Sequence, residues 1–249
     1  MNWKRKGKSA WALIIPNVSE YEFLPLSKVL GNHAVEILFN LNLKWQKEIF
    51  TFIKKNLPAK VNPDFFIFLQ IENNDLKKYI KVQVKKELDP FKIKLRASIP
   101  EPPKTLNTKE KKINDALKEM IYPKNSTAGK MKNIFEHLLK KYNRVTVWNL
   151  ESLVLAPEHF SQISSANSPA GTLFSLTSPH NRLVLLSYNF ESIDDMQKMK
   201  IKKNTIPAIY DLKSLQEIIY NFSTMNTTLS QKRTEELSTA IQTIHQNLP

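Results

Sequence analysis

Four glycines in 249 residues, Gly7, Gly31, Gly129 and Gly171, restrict this chain more sharply than any motif it carries. Glycine-rich phosphate loops, the dinucleotide-binding fingerprint and the nucleophile elbow all need clustered glycines, because backbone must approach ligand or backbone closely. None of them can be written here. The five histidines, His33, His137, His159, His180 and His245, are scattered without an HExxH pattern, and cysteine is absent. Thiolate nucleophiles, disulfides and Cys-containing zinc sites are therefore excluded.

Charge is the next constraint. Residues 1–150 hold 29 Lys and Arg against 14 Asp and Glu, a net +15; residues 151–249 hold 8 against 9, a net −1; the two sum to the overall +14. A fixed positive field on one part of a protein selects anionic partners. Lys supplies 32 of the 37 basic residues. Because Arg is the residue suited to bidentate base contacts, sequence-specific base reading is disfavoured.

The start, Lys4-Arg5-Lys6 and Lys8 before Ala10 to Ile15, imitates a secretory leader, but Pro16-Asn17 ends a short apolar run without a small-residue cleavage site. It reads as a basic arm leading into a strand. No window approaches the ~20 apolar residues of a membrane-spanning helix, so a soluble or peripheral protein of the cytoplasm is expected.

Along the chain, Val35, Leu38, Leu41, Trp45, Ile49 and Phe52 recur at spacings of three and four and predict a long helix over 33–55. Three short strands are expected next, Asp64 to Glu72, Tyr79 to Glu87 and Phe91 to Ile99, as an antiparallel meander packed on that helix. Pro100-Glu101-Pro102-Pro103 interrupts regular structure. This predicts an α+β protein with a basic domain over 1–104 and a second, mixed α/β region over 105–249. The second region is expected to hold a charged helix over 108–121 and a helix over 129–142 capped by Ser126 or Thr127. Further on come a strand over 144–148, a loop over 156–171, a hairpin of 172–177 and 182–188, and two closing helices from Asp211 and Thr228.

The meander concentrates the candidate chemistry. Alternation puts Lys81, Gln83 and Lys85 on one face of the second strand, and Lys92, Lys94 and Arg96 on the matching face of the third. The first strand is apolar on both sides, so Phe66 and Phe68 can lie among those cations. Aromatic rings beside lysines are how open sheets bind single-stranded nucleic acid. The expected anion-binding set is Lys81, Lys85, Lys92, Lys94, Arg96, Phe66 and Phe68, with Lys4, Arg5 and Lys6 from the arm. It belongs to a non-enzymatic binding or adaptor subunit that docks on nucleic acid or an acidic protein surface beside other subunits, without a cofactor.

A second reading uses overlapping residues. Pro63-Asp64 opens one strand and Gln83-Val84-Lys85 ends the next, a pattern that resembles the PD-(D/E)xK nuclease motif in its Q-x-K variant. The resemblance covers about 50 residues. It implies that Asp64 and Gln83 hold Mg²⁺, that Lys85 orients or activates the attacking water, and that Glu36 supplies a further acidic ligand. The chain departs from that family where a strand, rather than the usual helix, is expected after Lys85.

Overall fold

The computed structural model describes residues 8–15, 32–57, 62–71, 74–101, 126–150, 155, 157–164, 172–177, 183–189, 200–205 and 228–246. Seven strands form one sheet: β1 (Lys8–Ile15), β2 (Asn62–Leu69), β3 (Lys94–Arg96), β4 (Arg144–Asn149), β5 (Thr172–Thr177), β6 (Leu183–Asn189) and β7 (Lys200–Thr205). Their order is β3-β2-β1-β4-β6-β5-β7. β1 pairs in parallel with β2 and β4, β2 with β3, and β5 with β7, whereas β6 is antiparallel to β4 and β5. Six strands thus share one direction and β6 opposes them.

Five helices accompany the sheet among the described residues: α1 (Asn32–Asn56), α2 (Asn74–Leu88), α3 (Thr127–Leu139), α4 (Pro157–Ser164) and α5 (Thr228–Gln246). Alternation along β1 explains the layering. Trp11, Leu13 and Ile15 join Phe65, Ile67, Leu69 and Trp148 in a core closed by α1, α2, α4 and α5. Ala10, Ala12 and Ile14 join Phe66, Phe68, Val145 and Val147 beneath Met131, Ile134, Phe135 and Leu138 of α3. A strand buried on both faces reads as a continuous apolar run, as Ala10 to Ile15 does.

The antiparallel meander does not form, and the fold is α/β rather than α+β. Residues 79–87 lie within α2, where Ile80, Val84 and Leu88 make the buried stripe. Over so short a stretch Ile80, Val82 and Val84 satisfy both a period of two and, less Val82, a period of four. Val82 decides between them, since it is 63% exposed. The third expected strand shrinks to β3. A 3-10 turn at Asp89–Phe91 ends with Lys92 at φ 51°, whose N–H donates to Asp89 O at 3.1 Å, before the chain enters β3. Parallel pairing of β2 and β3 needs a long crossover, which α2 supplies.

α1 and α3 stand where their apolar spacing predicts, and Ser126 Oγ accepts the Gly129 N–H at 3.1 Å to cap α3. Within the expected loop over 156–171, Pro157–Ser164 is helical. β1 and β4, from either side of residue 104, are hydrogen-bonded neighbours in the sheet. The expected helices over 108–121 and from Asp211, the turn at 178–181 and the residues Lys4, Arg5 and Lys6 lie outside the described residues. No described helix is long and apolar enough to cross a membrane.

Candidate functional site

The residues singled out from the sequence fall on two sides of the sheet. Asp64 sits early in β2, and its side chain shares the α3 face with Phe66 and Phe68. Gln83 and Lys85 are on α2, which packs on the opposite face through Ile80, Val84 and Leu88. The sheet therefore separates Asp64 from Gln83 and Lys85. Glu36 on α1 is occupied elsewhere, accepting a hydrogen bond from the Tyr79 hydroxyl at 3.3 Å.

Asp64 instead has structural partners. Lys94 Nζ lies 2.8 Å from its Oδ1, and the Tyr142 hydroxyl donates to its Oδ2 at 2.6 Å. Burial works to raise the carboxyl pKa, but the bonds from Lys94 and Tyr142, with the charges of Lys94 and Lys8, outweigh it and hold it below the ordinary value. Burial, followed by the Asp64 bond and charge, pushes the Tyr142 phenol far above its usual range.

Lys94 and Arg96 on β3 do adjoin Phe66 and Phe68, their register partners, and the Lys94 ammonium is 5.4 Å from the Phe66 ring centroid. The rings are not open platforms: Phe66 and Phe68 are 5% and 3% exposed, and Tyr142 packs edge-on against Phe66 at 5.9 Å. Lys81 and Lys85 are exposed on α2, and Lys92 occupies the turn. With its cations on separate elements and both sheet faces covered, the basic sheet surface behind the adaptor reading does not exist. The nuclease reading falls with the separation of Asp64 from Gln83 and Lys85. No group of acids and histidines able to hold a metal occurs among the described residues.

A different region gathers chain ends. β2 and β4 flank β1 on opposite sides, so the order of connection reverses at the β1/β4 pair. The Gln70 N–H donates to Ile15 O at 2.9 Å, and the Leu150 N–H donates to Ile14 O at 3.0 Å. Three chain segments thus leave the carboxyl edge side by side. Asn149, buried at the end of β4, donates through Nδ2 to Leu183 O at 2.8 Å, and Met131 Sδ lies 3.8 Å from the same nitrogen.

On the other face, the Asn42 amide donates to the Leu150 carbonyl. Gln46 Nε2 donates to Asn42 Oδ1 at 3.0 Å, and the Trp148 indole N–H donates to Gln46 Oε1 at 2.8 Å. Asn42, Gln46 and Asn149 are all buried, where unmatched amides would be costly. Their bonds fix the backbone that leaves β4. Sequence reading missed this set, although Asn42 and Gln46 stand four apart inside an otherwise apolar helix stripe. A paired break of that kind is the visible signal.

A helix end adds charge to the same edge. Since β1, β2 and β4 are co-directed, α1 and α3 run against the strands; α3 begins at the carboxyl edge, whereas α1 meets Leu150 only at Asn42, about 15 Å along the helix from its first residue. Neither has an acidic residue in its first turn, whereas α2 has Asp75. The dipole of α3 gives this edge a positive partial charge.

No family model and no curated protein matches this chain. Among solved structures, it is similar over 95% of its length to a Desulfovibrio desulfuricans G20 protein provisionally named a nucleotide-diphospho-sugar transferase, with 97% of that chain covered, 12% identity and a TM-score of 0.48. That protein is named neither as an adaptor nor as a nuclease. At this level of likeness its activity is not carried over.

Proposed function

We propose that the protein binds a small molecule bearing an anionic group in the crevice outside the carboxyl ends of β1 and β4. The observation that carries this reading is the reversal of strand order at that pair, because open α/β sheets hold their ligands where two connections diverge in opposite directions. Anionic character is supported by the acid-free first turn of α3 and by the +15 net charge of residues 1–150. With no glycine cluster to wrap a phosphate, contacts must come from a helix first turn and side chains.

The test is amide hydrogen exchange in the presence of inorganic pyrophosphate, nucleoside diphosphates and dicarboxylates. Protection is expected at residues 14–15, 126–131 and 149–150. Protection centred instead on Asp64 and Tyr142, or on the exposed face of α2, would place the ligand elsewhere and end the proposal.

A further inference from the structure

With Ile80, Val84 and Leu88 buried against the sheet, α2 turns Lys78, Lys81, Val82, Lys85 and Lys86 to solvent. Spacings of three and four put these residues on one side of the helix, over about 12 Å at 1.5 Å per residue. Val82 stands in the middle, 63% exposed, the one exposed large hydrophobic side chain among the described residues.

Charge on this face is not balanced as it is on the other helices. Lys132 has Glu136 one turn on, Lys232 lies against Glu48 and Glu236, and Lys44 meets Glu236. On α2, residues 76–86 include five lysines and no acid. Lys78 reaches back to Asp75 at 3.4 Å, with both side chains largely in water. Lys81, Lys85 and Lys86 have no ion pair among the described residues. Like charges four apart, as at Lys81 and Lys85, weaken a helix. Folding gains nothing from the arrangement, so the face is explained by what it meets.

Its chemistry fits a layer of anionic lipid headgroups. The cations are all Lys, mobile point charges on long apolar stems that can follow a fluid array of negative groups, whereas Arg forks suit fixed bidentate targets. No aromatic ring stands at the exposed positions to stack on a base, so a nucleic-acid strand would find charge alone. A valine ringed by ammonium groups is poorly placed in water and gains by entering the headgroup layer. The apolar stripe of α2 is already buried in the core, so the contact is peripheral and the helix lies flat.

We propose that the exposed face of α2 docks the protein on a membrane surface rich in anionic lipid, with Lys78, Lys81, Lys85 and Lys86 over the headgroups and Val82 among them. This goes beyond the crevice reading and does not depend on it.

The experiment is cosedimentation of the full chain with vesicles of phosphatidylcholine alone or with about one-third phosphatidylserine, the anionic arm being expected to bind and the neutral arm not. Raising salt from about 50 to about 300 mM should remove most of the binding. Neutralising Lys81→Gln with Lys85→Gln should weaken it about 25-fold, about fivefold for each lysine. Val82→Ser should weaken it about threefold. The pair Lys140→Gln with Lys141→Gln removes the same net charge behind α3, on the opposite side of the sheet, and should change it by less than about twofold. All these side chains are exposed except the partly covered Lys141 partners, and unfolding midpoints near wild type confirm that each variant is folded. Equal losses in the two lysine pairs would mean that net charge rather than this face attracts the vesicles, and would overturn the proposal. Equal binding to neutral and anionic vesicles would overturn it too. So would a single-stranded oligonucleotide that binds through Lys81 and Lys85 while the anionic vesicles do not.

Discussion

The two edges of the sheet solve the same problem with different chemistry. At the amino edge, Asp64, Lys94 and Tyr142 satisfy one another as carboxylate, ammonium and phenol, and the charges sit partly in solvent. Nearby, burial and then the charges of Lys141, Lys140 and Arg96 push the His137 pKa down. At the carboxyl edge the polar groups are neutral amides under full burial, and they bond to backbone carbonyls and to each other. About 17 Å of β2 separates Asp64 from the carboxyl end at Leu69, taking roughly 3.3 Å per residue. The contrast teaches that an acid with attractive neighbours in sequence can be a structural rivet, while inert-looking amides brace the end of a central strand.

The largest effect is expected from Gln46→Leu, which strands both the Trp148 indole N–H and the Asn42 amide in the core. A loss of about 2–4 kcal/mol in denaturant unfolding is expected. Much less would mean that the buried amides do not brace the carboxyl edge. Tyr142→Phe tests the other edge and should cost about 1 kcal/mol, since the lost bond is to a charged but partly solvated acceptor. It should also let the Asp64 carboxyl rise toward its ordinary value, readable by NMR titration.

Asp64 then sets a pH signature. Its folded pKa is below the unfolded value of 3.8, so its contribution is present above that value and lost as pH falls through the folded pKa. Asp64→Asn should flatten the acid limb of the stability curve below about pH 4 and leave the neutral region without this slope. The smallest effect is expected at Lys92, whose φ of 51° carries a side chain into the left-handed region. Lys92→Gly should raise stability by about 0.5 kcal/mol, the steric relief being partly offset by chain entropy. A fall in the unfolding midpoint would show that the lysine itself supports the turn before β3.

Legibility followed the length of the pattern. Across α1 the apolar spacing is sustained for about five turns, and its bounds are readable to within a residue. α2 fully buries Ile80, Val84 and Leu88, and the intervening Val82 imitates alternation, so the spacing reads as a strand where a helix forms. That ambiguity makes a parallel crossover look like a hairpin with a basic face. Pairing of β1 with β2 and β4 was not readable at all, because a uniformly apolar run carries no register and its partners lie far along the chain. For the candidate site, Asn42, Gln46 and Asn149 were visible as residues but not as a set. Their significance comes from topology, which brings α1 against the end of β4.

β6 remains to be considered for what its opposite direction allows. Because it runs down beside an ascending β4, its first residue, Leu183, meets Asn149, so β5 ends and β6 begins on the carboxyl edge where β1 and β4 end. Residues inserted between those two strands would be delivered straight to that edge, with every strand still threaded as before. Such a spot lets one scaffold reshape that edge by lengthening a single connection, leaving the braced end of β4 as the common foundation.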